Sequence, residues 1–327
     1  MLEFFSHKHP TRTLWALLLV LITWAVGLYV HPPLWQESPL HAGLISLAVS
    51  GINPYLLKSL ELLLLMGTVF AVRALMNRLF NSLFQSGLYI LLACLSATSL
   101  SLSRAPMLAP GLGLILLVYG TYLLTIPSVS SILSSRVLRA SVSLSVASLL
   151  FLPYGLLLPI PLLATVQRGA MNPRIFAAWL AGALLPHAFA LATCYLFGIS
   201  LLAYIPDYSP ADITLEVILS TLNINPLQLA YWFSLITLWV VAELLYPPQL
   251  SSQRNSYLLA RNLRIFTIIA LLISLILTGA TTGLSLALGP TMSIPITRLL
   301  LSSQRAWLKT LLFTTLLAMA LITQLVG

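Results

Sequence analysis

The chain has 327 residues, of which 59% are hydrophobic and only 7% charged. A soluble domain carries about 25% charged residues, so the 16 Lys+Arg and 7 Asp+Glu here cannot cover a water-exposed globule of this size. Composition excludes a soluble enzyme, a disordered chain and a disulfide scaffold, and predicts one all-α, polytopic helical membrane domain over residues 1–327. The net charge of +9 does not point to nucleic acid, because the basic residues stand singly or in pairs between apolar stretches. Cys94 and Cys194 each lie inside an apolar segment, with no disulfide or metal spacing.

In chain order, a basic head (His7, Lys8, His9, Arg12) precedes the apolar run Leu14–Val30. No small-residue cleavage site follows it, so it is expected as an uncleaved first span with a cytoplasmic N-terminus. A loop from His31 to Pro54, including HPPLWQESPLHAG, leads to spans expected at Tyr55–Leu75, Leu83–Leu102 and Leu108–Ile126. The next apolar stretch is split by Pro153 into Ala140–Leu152 and Tyr154–Val166. Ile175–Ile205 is a long span, and PDYSPADITLE (Pro206–Glu216) follows it with Asp207, Asp212 and Glu216. Then come Leu227–Tyr246, a second split stretch (Ile265–Thr278 and Leu284–Ile296, around Gly279–Gly283) and Trp307–Val326. That makes about 11 apolar segments, four of them too short to cross a hydrocarbon core alone.

Charge decides how the split stretches run. If both are short hairpin pairs, at 140–166 and 265–296, then 14 of the 16 basic residues fall on the cytoplasmic side, with only Lys58 and Arg104 outside. If 140–166 crosses once, everything from Arg168 flips, leaving 6 of the 16 inside and 10 outside, against the positive-inside rule. The hairpin reading follows. A broken pair has freed carbonyls and must lie in protein or line a wet cavity, so a cavity open to one side is expected.

No P-loop, GxGxxG, HExxH, GxSxG or CxxC is present, so no cofactor or metal is expected and no self-powered pump. Chemistry falls to isolated polar residues. Lys58 and Glu61 share one face at the outer end of the second span, either as a neutralised pair or as a cavity pair with Glu61 carrying a proton. Glu243, near the inner end of its span, is open to pairing with Arg254 or Arg261. His187 follows Pro186 in the middle of a span, as a neutral donor to a neighbouring helix or as a proton relay. Glu37 is a solvent-side acid near the membrane, a solvated loop residue or a base. Arg104, in SLSRAP, breaks the inside rule and is placed to hold a lipid phosphate or simply to anchor at headgroups. Arg298, Arg305 and Lys309 form an inner basic stripe that suits anionic lipid.

The stretches FFSHKHPTR, ALMNRLFNSLFQSGLYILLACLS, ILSSRVLRASVSLSVASLLFLPYGLL and GPTMSIPITRLLLSSQRAWLKTLLF resemble landmarks of an uncharacterised family of multi-pass inner-membrane proteins of the Bacteroidota. That resemblance covers nearly the whole chain and implies no activity. The first half also resembles polyprenyl-phosphate-sugar-dependent (GT-C) membrane glycosyltransferases in its order of elements. These are a span, an outer loop with an acid, a span ending in Arg78–Leu79–Phe80, a span ending in SLSRAP, a fourth span and a broken short pair. The resemblance implies that Glu37 acts as base or metal ligand and that Arg104 holds the phosphate of a lipid-linked sugar, while Lys58 and Glu61 are further candidate substrate-binding residues read from their own positions. The chain departs from that pattern in lacking a first-loop Asp pair and a second acid near SLSRAP.

Three functions are carried forward. The first is glycosyltransferase-like handling of a polyprenyl-phosphate-linked sugar on the outer face of the bacterial inner membrane, in cell-envelope biogenesis. The second is a non-catalytic membrane subunit or scaffold of an envelope export or assembly complex, and the third a proton-coupled transporter through Glu61 or His187. Membrane lipids are partners in all three. The topology predicts that Ala170→Cys and Ser209→Cys, each in a cysteine-free background, are labelled from opposite sides by an impermeant thiol reagent. Labelling from the same side would overturn the two-hairpin arrangement.

Overall fold

The computed structural model describes residues 10–30, 53–79, 87–100, 108–125, 130–198, 226–245, 265, 282–302 and 306–326. They are almost entirely helical, with no strand among them. In chain order the helices are α1 (Pro10–Val30), α2 (Pro54–Leu79), α3 (Gly87–Leu100), α4 (Leu108–Thr125) and α5 (Ser130–Leu150). A 3-10 segment, Leu152–Leu157, leads to α6 (Ile160–Gln167) and α7 (Pro173–Leu196). The remainder are α8 (Pro226–Leu245), α9 (Thr282–Ser302) and α10 (Ala306–Val326).

Every residue of α3 from Gly87 to Ser96 is buried. Its sequence, GLYILLACLSATSL, has no polar face, and a helix that is apolar all round belongs in a core. It lies among α1, α2, α8, α9 and α10. Two polar contacts tie it to that ring: Tyr89 Oη donates to the Pro290 carbonyl of α9 at 3.1 Å, and Tyr231 Oη of α8 donates to Ser96 Oγ at 3.3 Å.

A second group, α4 to α7, is attached through contacts of α4 with α2 and α9. Here helices meet through small residues. A Cβ on Gly113 of α4 would stand 2.7 Å from the Tyr154 ring, and one on Gly120 would stand 3.1 Å from the Ala140 carbonyl of α5. With the Ser143 hydroxyl donating to the Leu116 carbonyl at 2.6 Å, these contacts fix an antiparallel register between α4 and α5. On the other side of α5, Gly182 of α7 is tighter still: its Cβ would lie 2.7 Å from both the Leu138 carbonyl and Ser141 Cβ. Ser145 reaches the Ala183 carbonyl and Ser148 reaches His187, so α5 and α7 run parallel.

Parallel neighbours in sequence require a return path, and residues 151–172 supply it. Phe151 is extended, and Pro153 opens the 3-10 segment. Tyr154 Oη then donates to the Pro110 carbonyl near the start of α4, while Arg168 donates to the Leu124 carbonyl near its end. The return therefore runs alongside α4 and back down α5, over about 21 Å at helical rise. Gly169 (φ 64°) ends α6, and Asn172 caps α7 by accepting from the Ile175 N–H at 2.8 Å.

This corrects the expected short arms at 140–166. Ala140–Leu152 is not a short arm, because α5 begins ten residues earlier, at Ser130, and has 21 residues, about 32 Å. The segment SSILSSRVLR lay outside the expected arm, yet Ser134, Val137 and Ala140 are buried against neighbours and the arginines lie at less buried positions. The reversal at Pro153 is present, and only its returning limb is short and broken. In the second split stretch, Leu284–Ile296 belongs to a 21-residue helix that continues through Pro290 and Pro295 to Ser302. Its other arm, Ile265–Thr278, lies outside the described residues except for Ile265.

Among the described residues, four helices contain stretches long and apolar enough to cross a membrane: Thr13–Val30, Pro54–Ala74, Ile132–Leu150 and Pro173–Leu196. Only 18% of the first and 17% of the last are buried, against 44% and 56% of the middle two, so α1 and α7 form the outer flanks. The outward residues are large and apolar, including Leu14, Trp15 and Ile22 on α1 and Leu184, Phe189 and Leu196 on α7.

The glycine contacts make a direct prediction. Gly182→Ala forces a methyl onto the α5 backbone and is expected to destabilise the fold by about 1–3 kcal/mol, as overpacking does. Gly67→Ala, where an added Cβ meets nothing within 4 Å, is expected to be neutral or slightly stabilising through helix propensity. Thermal unfolding of both variants in detergent checks the pair, and equal effects would refute the contact.

Candidate functional site

Lys58 and Glu61 lie on the inward face of α2, on the same side as Leu57, Leu62 and Leu65. Lys58 Nζ donates to Glu61 Oε2 at 3.0 Å, with both side chains buried. The i,i+3 spacing places them together whatever surrounds them. Burying two charges is costly, and a close pair offsets most of that cost. The contact is common to both sequence readings, the neutralised pair and the cavity pair.

His187 lies where α7 meets α5. Its Nδ1 is 2.8 Å from Ser145 Oγ and 3.1 Å from the Ala183 carbonyl, and its Nε2 is 3.2 Å from Ser148 Oγ. The Ser145 hydroxyl is also 2.8 Å from the Ala183 carbonyl, and that of Ser148 is 2.7 Å from the Ser145 carbonyl. Each ring nitrogen thus faces a serine hydroxyl of α5, while those hydroxyls donate to the Ala183 and Ser145 carbonyls. His187 thereby bridges α5 and α7 through its ring. Pro186 precedes it inside α7 and removes one N–H from the helical ladder.

Ser145 and Ser148 were not singled out in the sequence as partners of His187. The signal was there, in SVSLSVAS, where serines recur through an apolar helix at positions 141, 143, 145 and 148 and all are buried. Ser141 Oγ, pressed against Gly182, has no hydrogen-bond partner among the described residues. Several other buried hydroxyls bond back to their own helix, as in Thr23 to Val20, Thr68 to Leu65 and Thr121 to Val118.

Glu243, expected near Arg254 or Arg261, accepts from Trp239 Nε1 one turn back at 2.6 Å, and both arginines lie outside the described residues. Glu37 and Arg104, proposed base and phosphate holder, also lie outside them, as does the 206–216 loop. Among the described residues no three His, Cys, Asp or Glu side chains group as a metal site. Arg168, just beyond α6, is held over the end of α4, and burial lowers its guanidinium pKa, with the nearby positive charge of Arg136 adding to the effect.

Comparison with known proteins returned no match, whether to a family model, a curated protein or a solved structure. The kinships suggested by the sequence thus stand on their residues alone.

The buried pair on α2 has a characteristic energetic signature. Lys58→Met leaves the Glu61 carboxylate without its cation and is expected to cost about 3–5 kcal/mol, whereas Lys58→Met with Glu61→Gln recovers most of that loss. A double-mutant cycle on thermal or denaturant unfolding reads the coupling. Additive losses would mean that the pair is not mutually neutralising.

Proposed function

We propose that the chain is an integral protein of the bacterial inner membrane that serves cell-envelope biogenesis as a membrane-embedded subunit or scaffold. One observation carries this reading. The outer flanks α1 and α7 present large apolar side chains, while the ion pair, the histidine and the serine hydroxyls are turned inward and engaged between or within helices. That arrangement suits a solvent that is itself apolar, where small residues let helices approach closely and interhelical hydrogen bonds hold them. The distribution of basic residues in the sequence supports a cytoplasmic N-terminus.

The catalytic reading is glycosyltransferase-like (GT-C) handling of a polyprenyl-phosphate-linked sugar on the outer face. It is supported by the first-half resemblance, by Glu37 and Arg104, and by the broken return limb after Pro153. Glu37 would act as base, and Arg104, with Lys58 and Glu61 on the neighbouring span, would bind the lipid-linked sugar. A base must lie within about 3 Å of the acceptor proton, directly or through one water.

Two strains separate the catalytic form from the scaffold. If Glu37 is a base, Glu37→Gln should reproduce the envelope defect of a full deletion, because it keeps the shape and removes the proton acceptor. Wild-type envelope in that variant, with a defect on deletion, assigns the scaffold role instead. Recovery of the chain in the soluble fraction without detergent would overturn the membrane reading itself.

A further inference from the structure

Tyrosines in this chain meet their surroundings in two ways. Tyr89, Tyr154 and Tyr231 are buried, and each donates its hydroxyl to a group on a different helix. Tyr29 and Tyr195 are the opposite case. They are the most exposed large hydrophobic side chains among the described residues, at 90% and 83%. Among the described residues neither hydroxyl has a hydrogen-bond partner. A phenol joins an apolar ring to a hydroxyl that needs a partner, so water is left to supply one.

Both residues stand at the end of a flank helix. Tyr29 is the last residue but one of α1, and Tyr195 the last but one of α7. Each helix has a basic residue in its first turn, Arg12 on α1 and Arg174 on α7. Between these ends the large exposed side chains are apolar, among them Leu18 and Ile22 on α1 and Leu184 and Phe189 on α7. At helical rise the basic and phenolic ends are about 26 Å apart on α1 and about 32 Å apart on α7. A hydrocarbon core is about 30 Å thick. On α2, which the charge distribution runs the other way, the order is reversed: Tyr55 is exposed in the first turn, and Arg73 lies toward the other end.

We propose that Tyr29 and Tyr195 anchor the two flank helices in the phospholipid headgroup layer of the outer leaflet, rings against the upper acyl chains and hydroxyls in interfacial water. Amphipathic rings favour that level over both the hydrocarbon and bulk water. The two phenols then set how deeply the bundle sits. The anchor rests on the membrane reading above and adds a depth and a contact layer to it. It draws on neither Glu37 nor Arg104, and so does not depend on the catalytic form.

The test uses the full chain carrying Cys94→Ala and Cys194→Ala, reconstituted in vesicles of phosphatidylethanolamine and phosphatidylglycerol. Single spin labels are placed at exposed positions 22, 30, 184 and 196, with both tyrosines kept. Each label is read by its collisions with oxygen, which concentrates in hydrocarbon, and with a water-soluble nickel chelate. Collisions with oxygen are expected to dominate at 22 and 184, and the ratio to shift to near balance at 30 and 196. Tyr29→Leu with Tyr195→Leu should shift positions 30 and 196 toward oxygen, whereas Tyr29→Trp with Tyr195→Trp should leave them in place. An oxygen excess at 196 as large as at 184, or a nickel excess there as in bulk water, overturns the anchor. Protection of 196 from both reagents means that protein covers this end, and overturns it too. Unchanged ratios in the leucine variant overturn the role of the tyrosines. Failure of the membrane reading shows separately, as the absence of any oxygen excess at 22 and 184.

Discussion

The contact on which the second helix group depends is the approach of Gly182 to the backbone of α5. With no Cβ on Gly182, α7 settles against Leu138 and Ser141, and only at that distance can Ser145 reach the Ala183 carbonyl and Ser148 reach His187. A helix pair held this closely and in parallel forces the intervening chain to come back. The return limb from Phe151 to Asn172 follows from that need, with Pro153 opening its 3-10 segment. Glycine on α4 plays the matching part, since Gly113 leaves the space into which the Tyr154 ring fits. Small residues on both sides of α5 thus decide where its neighbours lie.

Satisfaction of polar groups follows the same logic. An apolar surround makes an unmet hydroxyl or charge expensive, and the chain answers in three ways. Threonines such as Thr68 and Thr121 turn back onto their own helix. Serines on α5 reach across to α4 and α7. Lys58 and Glu61 neutralise each other within one turn. The first device leaves helices independent and the second ties them to each other, which is why the α5 serines matter more to architecture than their number suggests.

The apolar segments were legible because their length and hydropathy report directly on a helix that must bury or immerse itself. Leu14–Val30, Leu108–Ile126 and Trp307–Val326 differ little from α1, α4 and α10. The start of α5 was not legible. Arg136 and Arg139 lowered the hydropathy of a stretch whose other face, Leu133, Val137 and Ala140, is core. A window average cannot separate two faces of one helix, whereas the three-and-four spacing of those residues can. Of the candidate residues, Lys58 with Glu61 was readable from spacing alone, being local. The partners of His187 lie 39 and 42 residues away and depend on a parallel register that only the folded chain shows. Glu37 and Arg104 fall outside the described residues, so their place in the fold remains a matter of sequence.

Charge and topology are joined at the base of α5. The reversal after Pro153 returns Arg168 and Arg174 to the end where Arg136 and Arg139 already stand. Had the chain run on without the reversal, the same arginines would have been divided between two ends of the helix group. The break that costs a helix its continuity therefore concentrates positive charge on one side, and no carboxylate of α4 through α7 offsets it. The placing of these arginines toward one end is then a consequence of one structural feature, the short returning limb between α5 and α7.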